Sequence, residues 1–294
     1  MSAIMQKIHA SCEAKKFYEA QQMYKSIVNR YTTQNQPNKG VFVALDGIKT
    51  FVKHDQQALA SELSLLIIEV LSKSEATQKG EVEINGKKMS LLELFEYILT
   101  LLPKEQHEYR VLYLKAAIKL SSGKTEQADP TLHLLMGREY KENGEYKEAN
   151  QHYCRSESPE EHAELVQQWS RKGNDDEFDM FAARSILQIL CLKKVNYAQR
   201  FFDHYITLYN EKDALTPLLN FIDFLFTSIT NRSKSLFEYL KIQYKPALNR
   251  DPEYESLLKT IGESYFGIRV QESGLAGLFS SFASMLGGPN QSRQ

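Results

Sequence analysis

Apolar residues recur at helical spacing almost throughout this chain, punctuated by Gly, Pro and Asn, while strand-like alternation is nearly absent. By that criterion the chain forms roughly fourteen helices. Phe17, Ala20, Tyr24, Ile27, Val28 and Tyr31 make one stripe, with Lys25, Asn29 and Arg30 turned away from its centre, so that one face buries and the rest stays available. Residues 59–71 are apolar on most faces, which predicts a helix set between neighbours. Further helices are predicted to stop at Pro103 and at 121–123, and Asp129-Pro130 opens the next with a cap and a fixed φ. Asp251-Pro252 repeats that start signal and leads into an inward stripe of Tyr254, Leu257, Leu258, Ile261, Tyr265 and Phe266. Residues 217–229 are almost wholly apolar, but they carry Asn220 and Asp223 and fall short of the roughly 20 residues needed to cross a bilayer, which predicts a core helix.

Two segments depart from this pattern. Residues 81–87 carry Asn85-Gly86, a turn signal compatible with a small hairpin, yet isolated hairpins are marginal in water and an exposed loop is the expectation. Residues 274–288 mix Leu275, Leu278, Phe279, Phe282, Met285 and Leu286 with Gly and Ser, giving apolar anchors of poor helix propensity. Order is expected to fail beyond Gly267, leaving a tail that docks only transiently.

The most informative spacing is Tyr140, Gly144, Tyr146, Ala149 and Tyr153. The Gly ends one helix tightly, Tyr146 and Ala149 lie three apart on the next, and the small Ala lets the two approach closely, as in a tetratricopeptide-like unit. Half of the pattern recurs at Phe17, Ala20 and Tyr24, so the repeat is irregular. Such helical hairpins stack into solenoids, and solenoids mostly bind proteins.

Composition narrows the function. A 42% hydrophobic share allows a sizeable core, and 36 basic residues against 37 acidic ones, without strong clustering, give no electrostatic reason to expect nucleic acid or anionic membrane. Cys12, Cys154 and Cys191 lack paired spacing and read as thiols of a reducing compartment, with the cytosol as default; residues 1–10 lack the apolar core of a secretory signal.

Reaction chemistry has little support. Gly123-Lys124-Thr125 ends like a phosphate loop but has Ile118 where the first Gly is needed, and the stretch from Gly80 has one residue too many, with Lys88 in place of Ser or Thr. The seven histidines never take zinc spacing. Glu160, Glu161, His162 and Glu164 form the densest cluster, but consecutive residues point around a helix rather than at one ion. Asp175, Asp176, Glu177 and Asp179 fit a helix N-terminus better than a cation or basic-partner site. No catalytic, metal or cofactor site is expected, and the carboxylate clamp of a chaperone receptor, with Lys, Asn and Arg converging, is not evident. Two alternatives remain: a generic tetratricopeptide-like scaffold of another chaperone or regulatory complex, and a nucleotide-using enzyme built on Lys124.

Several runs together carry a family resemblance: 17–20 with Gln22 and 29–31; 63–71; Asp179-Met180-Phe181 followed by 190–193; 217–221; 244–254; then Ile261-Gly262, Phe266-Gly267 and the Gly-rich tail. In order and spacing the chain resembles the Golgi-to-ER traffic protein four family, the fourth subunit of the guided-entry pathway for tail-anchored membrane proteins. Arg250-Asp251-Pro252 and the run 190–193 look like animal members. The resemblance implies an all-α, right-handed α-solenoid of irregular tetratricopeptide-like helical hairpins acting as a cytosolic scaffold without enzyme activity. Its repeats 1–155 would bind the homodimeric targeting ATPase and its repeats 156–267 a ubiquitin-like-domain adaptor and a BAG-family chaperone scaffold, with 268–294 a flexible tail. Carried over to the ATPase face are Tyr18, Glu19, Gln22, Arg30 and Glu62, where relatives commonly show His for Gln22 and Asp for Glu62. For the adaptor face the region is marked by Asn220, Phe221, Phe224, Tyr244 and Pro246, aromatics that equally suit core packing.

Overall fold

Helix, three-residue turn, helix is the recurring unit of the computed structural model, which describes residues 3–75, 79–123, 127–209 and 215–268. Among the described residues the chain is all-α apart from one hairpin, and it divides between Asn143 and Gly144 into two compact units. The N-terminal unit contains α1 (Ala3–Glu13), α2 (Phe17–Thr33), α3 (Pro37–Lys53), α4 (Gln57–Ser72), β1 (Glu81–Ile84), β2 (Lys87–Ser90), α5 (Leu91–Leu101), α6 (His107–Ser122) and α7 (Pro130–Glu142). The C-terminal unit contains α8 (Tyr146–Tyr153), α9 (Pro159–Ser170), a single 3-10 turn (Asp175–Glu177), α10 (Phe178–Cys191), α11 (Val195–Tyr209), α12 (Pro217–Thr230), α13 (Lys234–Gln243), α14 (Lys245–Leu248) and α15 (Glu253–Phe266). The expected all-α class of irregular helical hairpins is the observed one.

Five of the turns share one backbone solution. Their middle residues are left-handed: Lys15 (φ 57°), Asn35 (φ 56°), Asp55 (φ 61°), Lys193 (φ 61°) and Arg232 (φ 49°). The next amide closes a bond to the carbonyl five residues back, as in Lys16 N to Ser11 O (2.9 Å), Gln36 N to Tyr31 O (2.8 Å) and Gln56 N to Phe51 O (2.8 Å). This Schellman closure satisfies helix-end carbonyls and turns the chain sharply back. Gly144 supplies the same left-handed conformation (φ 78°) where the sequence pattern requires it.

In the N-terminal unit, the predicted α2 stripe buries Ala20, Tyr24, Ile27 and Val28 against α3, and α3 packs in turn on α4. α4 touches α2, α3 and α6 and exposes chiefly Glu62 and Glu69, as its all-round apolar pattern predicts. Gly47 makes the close α3 approach possible, since a Cβ there would stand 2.4 Å from Leu63 Cδ1 and 3.2 Å from the Tyr24 ring. Arg110 on α6 is buried: its guanidinium donates to the Leu99 and Leu102 carbonyls, each at 2.8 Å, and to Glu139 of α7 at 2.7 Å. It thereby closes the α5 C-terminus and joins α7 to α6.

The expectation of an exposed loop at 81–87 is corrected. β1 and β2 pair antiparallel in register Glu81 with Ser90 to Ile84 with Lys87, and Asn85 (φ 52°) and Gly86 (φ 77°) form the turn. Both central residues at positive φ favour a twisted two-residue connection. The hairpin is not isolated: Val82 is buried, β1 packs on α3, and Ser90 and Glu93 form a capping box that runs β2 straight into α5.

In the C-terminal unit, α10 is the hub, packed on α9, α11, α12 and α15 with Ala182, Ala183, Ile186, Leu187, Ile189 and Leu190 fully buried. The start signal at Asp251 holds, with its carboxylate accepting from the Glu253 amide at 3.0 Å. The acid run 175–179 opens α10 through an Asn174–Glu177 capping box, as a helix start should. Asp179 goes further than that expectation: it is 1% exposed and accepts from Arg250 at 2.8 and 3.0 Å. Arg184 meets Asp251 at 2.5 Å, and the Tyr254 and Tyr265 hydroxyls donate to the Met180 and Leu190 carbonyls. These bonds fasten α15 along α10. The tail beyond Ile268 and the Lys124-Thr125 near miss lie outside the described residues.

Candidate protein-binding faces

On α2, the residues opposite the buried stripe form one outward face. Tyr18 is 72% exposed, and Glu19, Gln22 and Arg30 are exposed as well. Tyr18 and Gln22 are one turn apart, so they project side by side. Arg30 lies near the far end of α2, roughly 18 Å along the axis from Tyr18 at the standard helical rise. A partner touching both would have to lie along the helix. Glu19 has Lys16 beside it at 3.7 Å, a surface pair of little energetic weight. The Arg30 guanidinium stands 5.8 Å from the Tyr31 ring centroid.

Glu62 joins this face from α4. Its carboxylate accepts from Lys25 at 2.5 Å and from the buried Gln21 at 2.9 Å, and the hydrogen bond from Lys25 lowers its pKa below the usual carboxylate value. Glu62 is therefore ionised and held against α2, without a direct bond to Tyr18 or Arg30. Gln21 escapes the stripe analysis, and Lys25, which that analysis turns away from the buried centre, is the cation that holds Glu62. The signal was a polar residue, Gln21, sitting next to the buried Ala20, where only a partner on the facing helix removes the cost of burial.

The five C-terminal positions separate by exposure. Phe221 is fully buried and packs at 5.8 Å against the half-buried Tyr244 ring. Asn220 donates to the Leu215 carbonyl at 3.0 Å and so organises the entry to α12. Phe224, 45% exposed, and Pro246 face outward. Sequence periodicity alone missed Tyr239 (57% exposed) and Ile242 (69% exposed) on α13. Their signal lies in the register: Phe237 and Leu240 point inward, which leaves positions 239 and 242 outward, three apart and on one face.

The polar cluster at 160–164 disperses into separate contacts. Glu160 pairs with Arg200 at 2.7 Å, Glu161 accepts from the Tyr153 hydroxyl at 2.6 Å, and Glu164 stands 3.7 Å from His204. His162 is buried, with Nε2 2.7 Å from Asn150 Oδ1 and Nδ1 3.3 Å from the Tyr197 hydroxyl. Burial pushes its pKa down to about 3, so the ring is neutral. Among the described residues no group of His, Cys, Asp and Glu is placed to hold a metal ion, and no helix is long and apolar enough to cross a membrane.

The family profile described as Golgi to ER traffic protein 4 matches residues 34–283. Homologs of Golgi to ER traffic protein 4 align over 292 residues at 32% identity in Oryzias latipes and at 33% in Bos taurus, covering in each case 97% of this chain and 87% of the relative. The Homo sapiens homolog is 32% identical over 97% of this chain and 86% of its own length. The crystal structure of C. therm. Get4 shares the fold, with a TM-score of 0.79 at 24% identity over 99% of this chain and 97% of that one. With the match extending from 34 to 283, the chain belongs to the Golgi to ER traffic protein 4 family and has a role in Golgi-to-ER traffic.

Proposed function

We propose that this chain is a cytosolic scaffold in the post-translational targeting of tail-anchored membrane proteins to the ER. It bridges the homodimeric targeting ATPase to a ubiquitin-like and BAG-type chaperone adaptor and performs no bond chemistry itself. The observation that supports this proposal is that each compact unit exposes large apolar side chains: Tyr18 beside Glu19, Gln22 and Arg30 on α2 in the first, and Phe224 on α12 with Tyr239 and Ile242 on α13 in the second. Tyr and Arg in exposed positions are common interface anchors.

The ATPase docks along α2, with Glu62 presented beside it by Lys25 and Gln21. The adaptor docks on α12 to α14, where the buried Phe221 packs against the Tyr244 ring and Asn220 holds the entry to α12. Holding a substrate-loaded adaptor next to the ATPase replaces diffusion by a raised effective concentration. If the α2 face binds one nucleotide conformer of the ATPase better than the other, it shifts that equilibrium by the difference in affinity.

The test is calorimetry of the chain with the ATPase dimer. Arg30→Glu should weaken binding while the helical circular-dichroism signal stays unchanged; unaltered affinity removes the α2 assignment. A chain ending before Pro217 should lose adaptor co-purification, and retention of the adaptor would place that interface elsewhere.

A further inference from the structure

A groove of about 480 Å³ opens in the N-terminal unit between α3, the β-hairpin and α5. Its surface is apolar where Phe42, Leu45, Ile84, Met89 and Tyr97 meet. Its size falls in the range of about 300–1,000 Å³ typical of specific binding clefts. The walls are built in advance: β1 packs on α3, and the Ser90–Glu93 capping box fixes β2 to α5.

The charges around this groove are unequal. Three lysines line it: Lys49, whose ammonium lies 5.4 Å from the Tyr97 ring centroid, and Lys87 and Lys88 on β2. Lys88 stands 3.3 Å from Glu81, whereas Lys49 and Lys87 form no salt bridge among the described residues. The two lining carboxylates keep their negative charge but are held by neighbours, and the pKa of Glu93 is lowered by its Ser90 bonds and, further, by the charge of Lys87. Asp46 accepts from the Tyr24 hydroxyl at 2.7 Å and stands 2.8 Å from His9 Nε2, while Glu93 accepts the Ser90 amide at 2.6 Å. An apolar floor with a cationic rim complements a ligand that is apolar on one side and carries carboxylates on the other.

We propose that this groove binds an acidic amphipathic polypeptide segment, seating bulky apolar side chains against Phe42, Met89 and Tyr97 and carboxylates at Lys49 and Lys87. None of Tyr18, Glu19, Gln22, Arg30 or Glu62 lines it, so the site stands apart from the proposed ATPase face. A basic segment of the same shape meets three ammonium groups against two held carboxylates and binds more weakly.

The test uses the full chain and a fluorescent synthetic helix-forming peptide with Leu and Phe on one face and Glu on the other. Its twin carries Lys for Glu, and decanoate serves as a small amphiphilic competitor. Anisotropy should show saturable binding of the acidic peptide, weakened about tenfold in the Lys49→Glu, Lys87→Glu double variant and by added salt. Both lysines are exposed, and unchanged thermal unfolding of the variant shows that the fold is intact. Hydrogen exchange should slow at residues 81–90 when the peptide is bound. Equal binding of the acidic and basic peptides, full affinity in the double variant, or protection confined to other segments overturns the proposal. Slowed exchange at residues 81–90 with decanoate alone, while neither peptide raises the anisotropy, also overturns it, by making the ligand a small amphiphile.

Discussion

The two units differ in where their buried charge sits: the N-terminal unit holds it in the Arg110–Glu139 pair between α6 and α7, whereas the C-terminal unit sets Asp179 and Asp251 along the α10–α15 contact. The N-terminal unit has layers of Tyr24, Val41, Ile48, Phe51, Leu63 and Ile67 inside and shows Glu19, Arg30 and Glu62 outside. The C-terminal unit buries Asn150, His162, Asp179, Ser185 and Asp251 and shows Phe224, Tyr239 and Ile242 outside. Buried polar groups are costly unless every partner is present, and exposed apolar side chains contribute most when a partner covers them. Charge changes at Asp179 and Asp251 should therefore act on stability, and charge changes at Glu19, Arg30 and Glu62 on binding. Apolar changes at Phe224, Tyr239 and Ile242 should act on binding through the C-terminal unit.

The strongest way to break this contrast is Asp179→Ala. It removes the acceptor for Arg250 from a site 1% exposed and unfastens α15 from α10. Breaking a buried pair costs about 3–5 kcal/mol, and Arg250, itself partly solvated, places the loss near the lower figure. Denaturant unfolding followed by hydrogen exchange should show early opening of α10 and α15 with little change in α2 to α4. Uniform loss across both units would show that they do not respond separately.

The pH dependence sharpens the same contrast. His162 is neutral when folded, its pKa pushed by burial to about 3, whereas the unfolded chain protonates it near its ordinary value of 6.5. The unfolded state therefore binds more protons between those values. Stability from this residue is complete above pH 6.5 and falls toward pH 3, by at most about 1.4 kcal/mol per pH unit. Replacement by Gln should flatten that decline in urea midpoints measured across the window. Parallel decline in the parent and the variant would assign the acid sensitivity to other groups.

Binding should separate by salt. Arg30→Glu is expected to weaken ATPase affinity about tenfold at low ionic strength and less at high, because exposed charges are screened. Ile242→Ser should weaken adaptor affinity by a similar factor that salt does not change, since it removes contact area and no charge. Titrations at two salt concentrations check both. A salt-independent effect at Arg30 would mean that it contributes packing rather than charge.

Much of this architecture was legible as periodicity. The α2 stripe, the all-round apolar α4 and the α12 core helix follow from residue spacing, because a helix must bury its apolar positions. The hairpin was missed because the marginal stability of two isolated strands was weighed without α3, against which Val82 packs. Arg110 and Gln21 were missed for a related reason: their partners, the Leu99 carbonyl and Glu62, are remote in sequence, and no local pattern names them. The outward faces were half legible. Phe221 and Phe224 look alike in sequence, and only the angular position around α12 makes one core and the other surface.

The repeat itself was hidden by its turns. Gly144 announced its turn, whereas Lys15, Asp55, Lys193 and Arg232 hold the same left-handed conformation without a glycine signal. A side chain there costs roughly 1–2 kcal/mol against glycine, offset in part by the larger entropy glycine loses on folding. Lys193→Gly should therefore stabilise the C-terminal unit, and Lys15→Gly the N-terminal one, by about 0.5–1 kcal/mol each. Differential scanning calorimetry should show each rise confined to the unit that carries the substitution. Because neither change touches charge inside a core or apolar surface outside one, both units should respond alike. A gain at only one of the two turns would mean that the other lysine side chain offsets its backbone cost through contacts of its own.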